Sequence, residues 1–481
     1  MNMFQLLDSQ PGLTWRQRKL AIVSTAAVCL EFLDYFLIGL ILTFLVGDWE
    51  LSFGQSSVIL LASGIGAIIG AVFFGRLADR IGRRPVFIIT IAVFSVATGA
   101  LALTPDSASF GWIYLTLLRV VIGFGAGGLY VVDLPLVQEF MPSAKRGRVT
   151  GLVTSAIPVG FLLGSVLVWL LSDAIGWRGI LAIAAILGGF LFFLRVSIPE
   201  SPRYLARKGK REDARRSIAW ALEVELDSIP NEWAEVPEGK STGRAGNMRN
   251  LFAYPRSLSL SSLTNLGMQT GYYGLSLWTP TLLVLILEVS PSETGMYMVF
   301  VTLGALAGRF GFSYLAEVIG RRRAGALAGL AAATFLVLAT FYDQAYLVGI
   351  SIFLILLIVT YIFGEGGFAV VGPYSGEVWP SHLRTTGMGF AYGFGGIGKV
   401  IGPLGLGLIL GSNNLVKPEV EPTGFGPGFY YFAAWYLLCA VAFIFLGIET
   451  KGKSLEQLDR ELEGKKASTN TRSLEPNKTI Q

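Results

Sequence analysis

The chain of 481 residues is 53% hydrophobic and only 15% charged, and 59 of its positions are glycine. Such a composition excludes an ordinary soluble globular domain and points to a membrane protein. The net charge of +5 comes from basic residues that lie mostly between apolar blocks or in the tails, the placement of topology signals rather than of a nucleic-acid footprint.

In chain order, Arg16, Arg18 and Lys19 precede a first apolar stretch too long for a signal-peptide core, which reads as a retained helix. Crossing a bilayer takes about 20 mainly apolar residues. Twelve blocks meet that need: 20–46, 56–77, 85–104, 111–135, 149–172, 177–197, 258–286, 293–316, 324–342, 346–372, 385–411 and 428–448. Alternate connections are basic, carrying Arg76, Arg80, Arg83 and Arg84, then Lys145, Arg146 and Arg148, then the segment 199–257, then Arg321, Arg322 and Arg323, and last Arg384. The others hold Asp48, Glu50, Asp106, Asp173, Glu288, Glu293 and Asp343, with Arg178 and Lys417 as exceptions. The positive-inside rule then places both termini in the cytoplasm, most simply of the plasma membrane. Within 208–226, Ala214, Ile218, Ala221 or Leu222, and Leu226 recur at helical spacing and predict a short helix outside the membrane. Ser454 and Gln457 offer a capping-box start for another, with Leu455, Leu458 and Leu462 on one side.

The chain also repeats itself. "LADRIGRR" at 77–84 returns as "LAEVIGRR" at 315–322, an offset of 238, and "EFMPSAKR" at 139–146 returns as "EVWPSHLR" at 377–384 with the same offset. Two matches in one register imply a duplicated chain: a six-helix half over 1–198, a polar linker over 199–257, a second half over 258–450 and a tail over 451–481. The fold class expected is an all-α membrane protein of twelve transmembrane helices in two pseudo-symmetric six-helix bundles.

"GRLADRIGRRP" at 75–85 resembles the signature loop of the major facilitator superfamily, and the likeness covers almost the whole chain. "RVVIGFGAGG" at 119–128, "PESPRYL" at 199–205 and "ETKGKSLEQLD" at 449–459 resemble the sugar-porter pattern and its organic-ion relatives. "EFLDYFLIG" at 31–39 and "YYGLSLWTPTLL" at 272–283 are similar to the first and seventh helices of proton-coupled metabolite and aromatic-acid symporters. The glutamine pair that sugar porters carry in the seventh helix is absent, with Gln269 alone in that region. The resemblance implies a cytoplasmic ion-pair gate made by Asp79, Arg83, Arg84, Glu139 and Arg146 in the first half and by Glu317, Arg321, Arg322, Glu377 and Arg384 in the second. It also implies that Asp34 carries the coupled proton and that Arg119 pairs with it.

Charges inside the spans carry most of the remaining information, because each costs roughly 2.5–3.5 kcal/mol at a helix centre and needs a partner or a wet cavity. They include Glu31, Asp34, Arg119, Glu365 and Lys399, with Asp133, Arg195 and Arg309 nearer the helix ends. Glu31 lies three residues before Asp34, on the same helix face, and either shares its proton or bonds a neighbouring helix. Lys399, in the glycine-rich "GFGGIGKVIGP", reads as an anion ligand or as the structural partner of Glu365 or Asp133. Tyr35, Gln269, Tyr272, Tyr273, Trp278 and Tyr392 are candidate walls of the substrate site. His382, the only histidine, falls in a loop motif and is not expected to relay protons.

Cys29 and Cys439 lie inside apolar runs and build neither a disulfide framework nor a metal site. No phosphate-cradling loop, metal cluster or nucleophile motif is present, so no enzyme and no cofactor is expected, the energy coming from a proton gradient. The function expected is alternating-access symport of a proton with a small organic anion, an aromatic or dicarboxylic acid, by a monomer. Symport of a sugar or polyol, drug export and solute sensing without transport remain alternatives.

Overall fold

The computed structural model describes residues 3–230, 248–380, 383–410, 425–453, 457–458 and 460–462. The expectations at His382, Lys417, Ser454 and Leu455 lie outside the described residues. In chain order the α-helices of the first half are α1 (Met3–Asp8), α2 (Trp15–Trp49), α3 (Phe53–Ile81), α4 (Arg83–Leu101), α5 (Ala108–Phe140), α6 (Ser143–Thr154) and α7 (Ala156–Val196). Two short ones follow, α8 (Pro202–Arg207) and α9 (Arg211–Leu222). The second half holds α10 (Pro255–Leu287), α11 (Pro291–Ile319), α12 (Arg321–Ala339), α13 (Ile352–Glu377), α14 (Arg384–Gly396), α15 (Gly398–Leu410) and α16 (Gly426–Val441).

Eleven helical stretches among the described residues are long and apolar enough to cross a membrane. One of them, Ser143–Val196, runs for 54 residues. At about 1.5 Å per residue that is more than twice the hydrocarbon thickness of a bilayer. Inside α7 the backbone leaves the helix at Gly176, with φ 65° and ψ 175°, a conformation that glycine adopts without strain. The break makes two crossings of one stretch, as the separate blocks 149–172 and 177–197 predict. The chain is thus an integral membrane protein of twelve transmembrane helices. At the starts of α2 and α3, Thr14 and Ser52 close capping boxes with Gln17 and Gln55.

Tertiary contacts divide the chain into two compact units, one of residues 1–239, 276–303 and 403–424, the other of 240–275, 304–402 and 425–481. Helices α10, α11 and α15 each pass from one unit to the other. In the first unit α3 lies against α5 so closely that a Cβ on Gly66 or Gly70 would overlap the backbone of Val120 or Phe124. Conversely, a Cβ on Gly123 or Gly127 would overlap the backbone of Ser63 or Ala67. In a membrane, where burial of apolar groups drives association little, small residues let two backbones approach and gain dispersion contact. The second unit repeats the contact 238 positions on, Gly304 against Ile358 and Gly308 against Ile362. The duplication read in the loops is therefore also built into the helix packing.

Helix α9 is shorter than the 208–226 pattern. It stops at Leu222 because Glu223 turns left-handed, with φ 58°, and returns its N–H to Ala219 and Trp220. Leu226 falls in the 3-10 turn that follows. The predicted face, Ala214, Ile218, Ala221 and Leu222, is buried with Leu7, Leu20 and Phe140. The linker is thereby fastened to the first bundle and to α1, a helix with no forewarning in the sequence pattern.

Gly123→Val pushes a branched side chain into the backbone at Ser63, and overpacking of this kind costs about 1–3 kcal/mol. A lower melting temperature in detergent is expected, while Gly151→Ala, where a Cβ meets nothing within 4 Å, leaves it unchanged.

Candidate transport and gating sites

Asp34 on α2 and Arg119 on α5 form an ion pair at 2.6 Å in which each side chain is only 1% exposed. The guanidinium also donates to the carbonyls of Asp34 (3.1 Å) and Tyr35 (3.3 Å) and to the Ser63 hydroxyl on α3 (2.9 Å). Thr98 on α4 donates to the second Asp34 oxygen at 3.1 Å. Four helices thus converge on one charge pair, and the bonds offset the cost of taking both ions out of water. Glu31 is buried one turn earlier on α2. Tyr35 is buried edge-on to Phe36, 5.3 Å between ring centres.

The second unit has its own buried pair. Glu365 on α13 is bonded to Arg309 on α11, with the Tyr272 side chain of α10 near its carboxylate. Around Tyr272 stand Tyr361, Tyr273 and Phe368, with ring centres 5.7, 5.8 and 5.2 Å away. The Lys399 ammonium lies 4.7 Å from the centre of the Tyr273 ring, a cation–π contact. Of the candidate site residues, Lys399 thus lies against Tyr273, which in turn meets Tyr272. The sequence reading offered Glu365 as a partner of Lys399; the structure pairs it with Arg309 instead, a pairing with no local signal. Gln269 donates to the Tyr392 carbonyl at 3.4 Å. Trp278 belongs to the first unit, where its indole donates to the Pro403 carbonyl at 3.0 Å and its ring meets Phe53.

At the basic-loop end, the two halves build the same network twice. Arg83 pairs with Glu139 at 2.5 Å, and Glu139 also accepts from the Ser201 hydroxyl. Arg321 pairs with Glu377 at 2.8 Å, and Glu377 accepts from the Thr450 hydroxyl at 2.5 Å. The carboxylate just before each hydroxyl residue caps a helix: Glu200 accepts the N–H groups of Arg83 and Arg84, and Glu449 accepts that of Arg321. Each carboxylate faces the positive end of a helix dipole. The N-cap glycines Gly82 and Gly320 have φ of 107° and 94°, and a Cβ on either would strike that carboxylate. Arg84 and Arg322 reach the carbonyls of Val196 and of Phe443 and Ile444.

The remaining predicted gate residues lie as follows. Glu317 pairs with Arg321 at 2.8 Å. Arg384 opens α14. Asp79 is exposed and makes no ion pair among the described residues. Arg146 turns instead to Asp8 of α1 at 3.2 Å and to the carbonyls of Gln138 and Met141. The Glu200 and Glu449 caps were missed, although "PESPRYL" and "ETKGKSLEQLD" were visible as motifs, because capping a helix over a hundred residues away leaves no local pattern.

The model of the family described as "Sugar (and other) transporter" matches residues 20–462. The chain belongs to this family. Among its relatives, this family member is 30% identical to the niacin transporter NiaP of Acinetobacter baylyi, the match covering 89% of this chain and 93% of that protein. It is 27% identical to the cis,cis-muconate transport protein of the same organism, over 86% and 90%. Its fold is that of the xylose transporter XylE from E. coli in an inward-open conformation, with a TM-score of 0.70, 18% identity, and 92% and 99% of the chains covered. The protein is a major facilitator transporter, with the twelve-helix fold that the loop motifs implied.

Arg119→Ala leaves the Asp34 carboxylate buried without its cation, and breaking a buried pair costs about 3–5 kcal/mol. Melting of Arg119→Ala, Asp34→Asn and the double variant should give a strong coupling, the double being more stable than the sum of the singles implies. Additive losses would mean that the pair contributes nothing as a pair.

Proposed function

We propose that the protein is a symporter that couples proton entry to uptake of a small organic anion, an aromatic or dicarboxylic acid. It works as a monomer in the plasma membrane, with both termini in the cytoplasm. The observation that carries this reading is the fully buried Asp34–Arg119 pair. A carboxylate beside a guanidinium is ionised, and the same carboxylate without it, in apolar surroundings, takes up a proton. A substrate anion that draws Arg119 away would therefore let Asp34 take up a proton from the aqueous phase as it binds, linking the two loads. Niacin is an aromatic carboxylate and cis,cis-muconate a dicarboxylate, so the cargoes for which these relatives are named support the anion class. The substrate carboxylate is held by Arg119 or by Lys399, whose ammonium over the Tyr273 ring keeps a positive charge within the second unit. The duplicated Arg83–Glu139 and Arg321–Glu377 networks act as the cytoplasmic gate. Partly exposed pairs worth about 0.2–1 kcal/mol each bias an equilibrium between states without locking it.

In proteoliposomes with an inward proton gradient, Asp34→Asn is expected to abolish accumulation and to retain exchange of internal for external substrate. Undiminished accumulation would remove Asp34 from the coupling. The substrate class is read first from thermal shifts at pH 6 and pH 7.5 with aromatic acids, aliphatic dicarboxylates, hexoses and polyols, since a ligand of the folded state raises its melting temperature. A carboxylate is expected to give the largest shift, greater at pH 6, and Arg119→Ala or Lys399→Ala should erase it. A hexose or polyol shift would replace this reading with sugar symport.

A further inference from the structure

Two cavities in the first unit share Arg80 in their lining, at the end that carries the basic loops. One, of about 500 Å³, lies among Arg80, Arg84, Lys208, Lys210, Glu200 and Tyr204. The other, of about 540 Å³, follows Ile68, Ile69, Val72 and Phe73 along α3 and ends on Arg76 and Arg80. Positions 68, 72, 76 and 80 succeed one another four residues apart, so one stripe of α3 is first apolar and then cationic.

The charge in the first cavity is unbalanced. Four cations face one carboxylate, and that carboxylate, Glu200, is already committed to the N–H groups of Arg83 and Arg84. Arg84 donates to the Val196 carbonyl from one nitrogen, but its Nε is buried with no partner among the described residues. Arg80, Lys208 and Lys210 form no ion pair among the described residues, and Asp79, the nearest other acid along α3, lines neither cavity. The apolar stripe is open, with Ile69, Val72 and Phe73 each more than half exposed.

The second half supplies an internal contrast. A cavity of about 620 Å³ sits among Arg322, Arg323, Lys451 and Glu449. At 238 positions beyond Arg76 and Arg80, however, stand Tyr314 and Val318, so there the helix stripe brings no cations to the cavity.

We propose that the two neighbouring cavities of the first half bind one anionic phospholipid, its phosphodiester among Arg80, Arg84, Lys208 and Lys210 and an acyl chain along the α3 stripe. Basic pockets at helix ends are the form that recognition of anionic headgroups takes in membranes. The apolar groove leading out of the cations favours a lipid over a free phosphate, which would leave that groove unused.

The test uses the purified full-length chain in a neutral detergent. Its melting temperature is measured with phosphatidylglycerol, with phosphatidylcholine of the same acyl chains, and with inorganic phosphate at equal phosphorus. Phosphatidylglycerol should raise it by several degrees, phosphatidylcholine by less than half as much, and inorganic phosphate not at all. Lys208→Gln/Lys210→Gln, at exposed positions beyond α8, should lose at least half of the phosphatidylglycerol shift, whereas Arg323→Gln/Lys451→Gln should keep it. Native mass spectrometry, counting phosphatidylglycerol retained by each variant, gives a second readout that does not depend on how stable each variant is. Equal shifts from the two lipids, a shift reproduced by inorganic phosphate, or retention undiminished in Lys208→Gln/Lys210→Gln would overturn the proposal.

Discussion

The contact between Asp34 and Arg119 ties α2, α3, α4 and α5 to a single point, because each helix supplies either a charge or a hydrogen bond to it. Nothing in hydrocarbon replaces the water these two ions gave up, so the surrounding helices must supply the partners. That demand shapes the first unit. The close approach of α3 to α5 through Gly66, Gly70, Gly123 and Gly127 brings Ser63 within reach of the arginine.

Duplication and divergence divide along physical lines. The two halves share what the backbone requires: glycine contacts at the same offset, arginine–glutamate pairs at the same offset, and a carboxylate cap on α4 and on α12. These features satisfy helix ends and close packing, needs that both halves have equally. The buried charges differ. At the offset of 238, Tyr272 and Leu357 stand where the first half has Asp34 and Arg119, while the second half's own pair, Arg309 and Glu365, has Ala71 and Gly127 as counterparts. Tyr272, in the place of an acid, stands near the Glu365 carboxylate instead. Each half thus holds a buried acid–arginine pair at positions of its own, and the first half buries Asp133 and Arg195 besides.

Much of this was legible beforehand for identifiable reasons. Twelve apolar blocks, the alternation of basic loops and the offset of 238 are properties of residues taken in order, and the bilayer imposes them wherever a helix crosses. Asp34 and Arg119 stood out because a charge within a span is rare enough to need explaining. Helix ends were harder: α9 stopped at Leu222 through the left-handed turn at Glu223, which its apolar spacing gave no reason to expect.

By itself, then, the amino-acid order determined which segments enter the membrane, that the chain is doubled, and which charges must find partners there. Only the tertiary structure decided who those partners are: Arg309 for Glu365, Asp8 for Arg146, Glu200 and Glu449 for the helix ends at Arg83 and Arg321. The reason lies in range. Hydrophobic periodicity and the cost of a buried charge act on each segment alone, whereas an ion pair between helices depends on rotations and crossings that the whole bundle sets together.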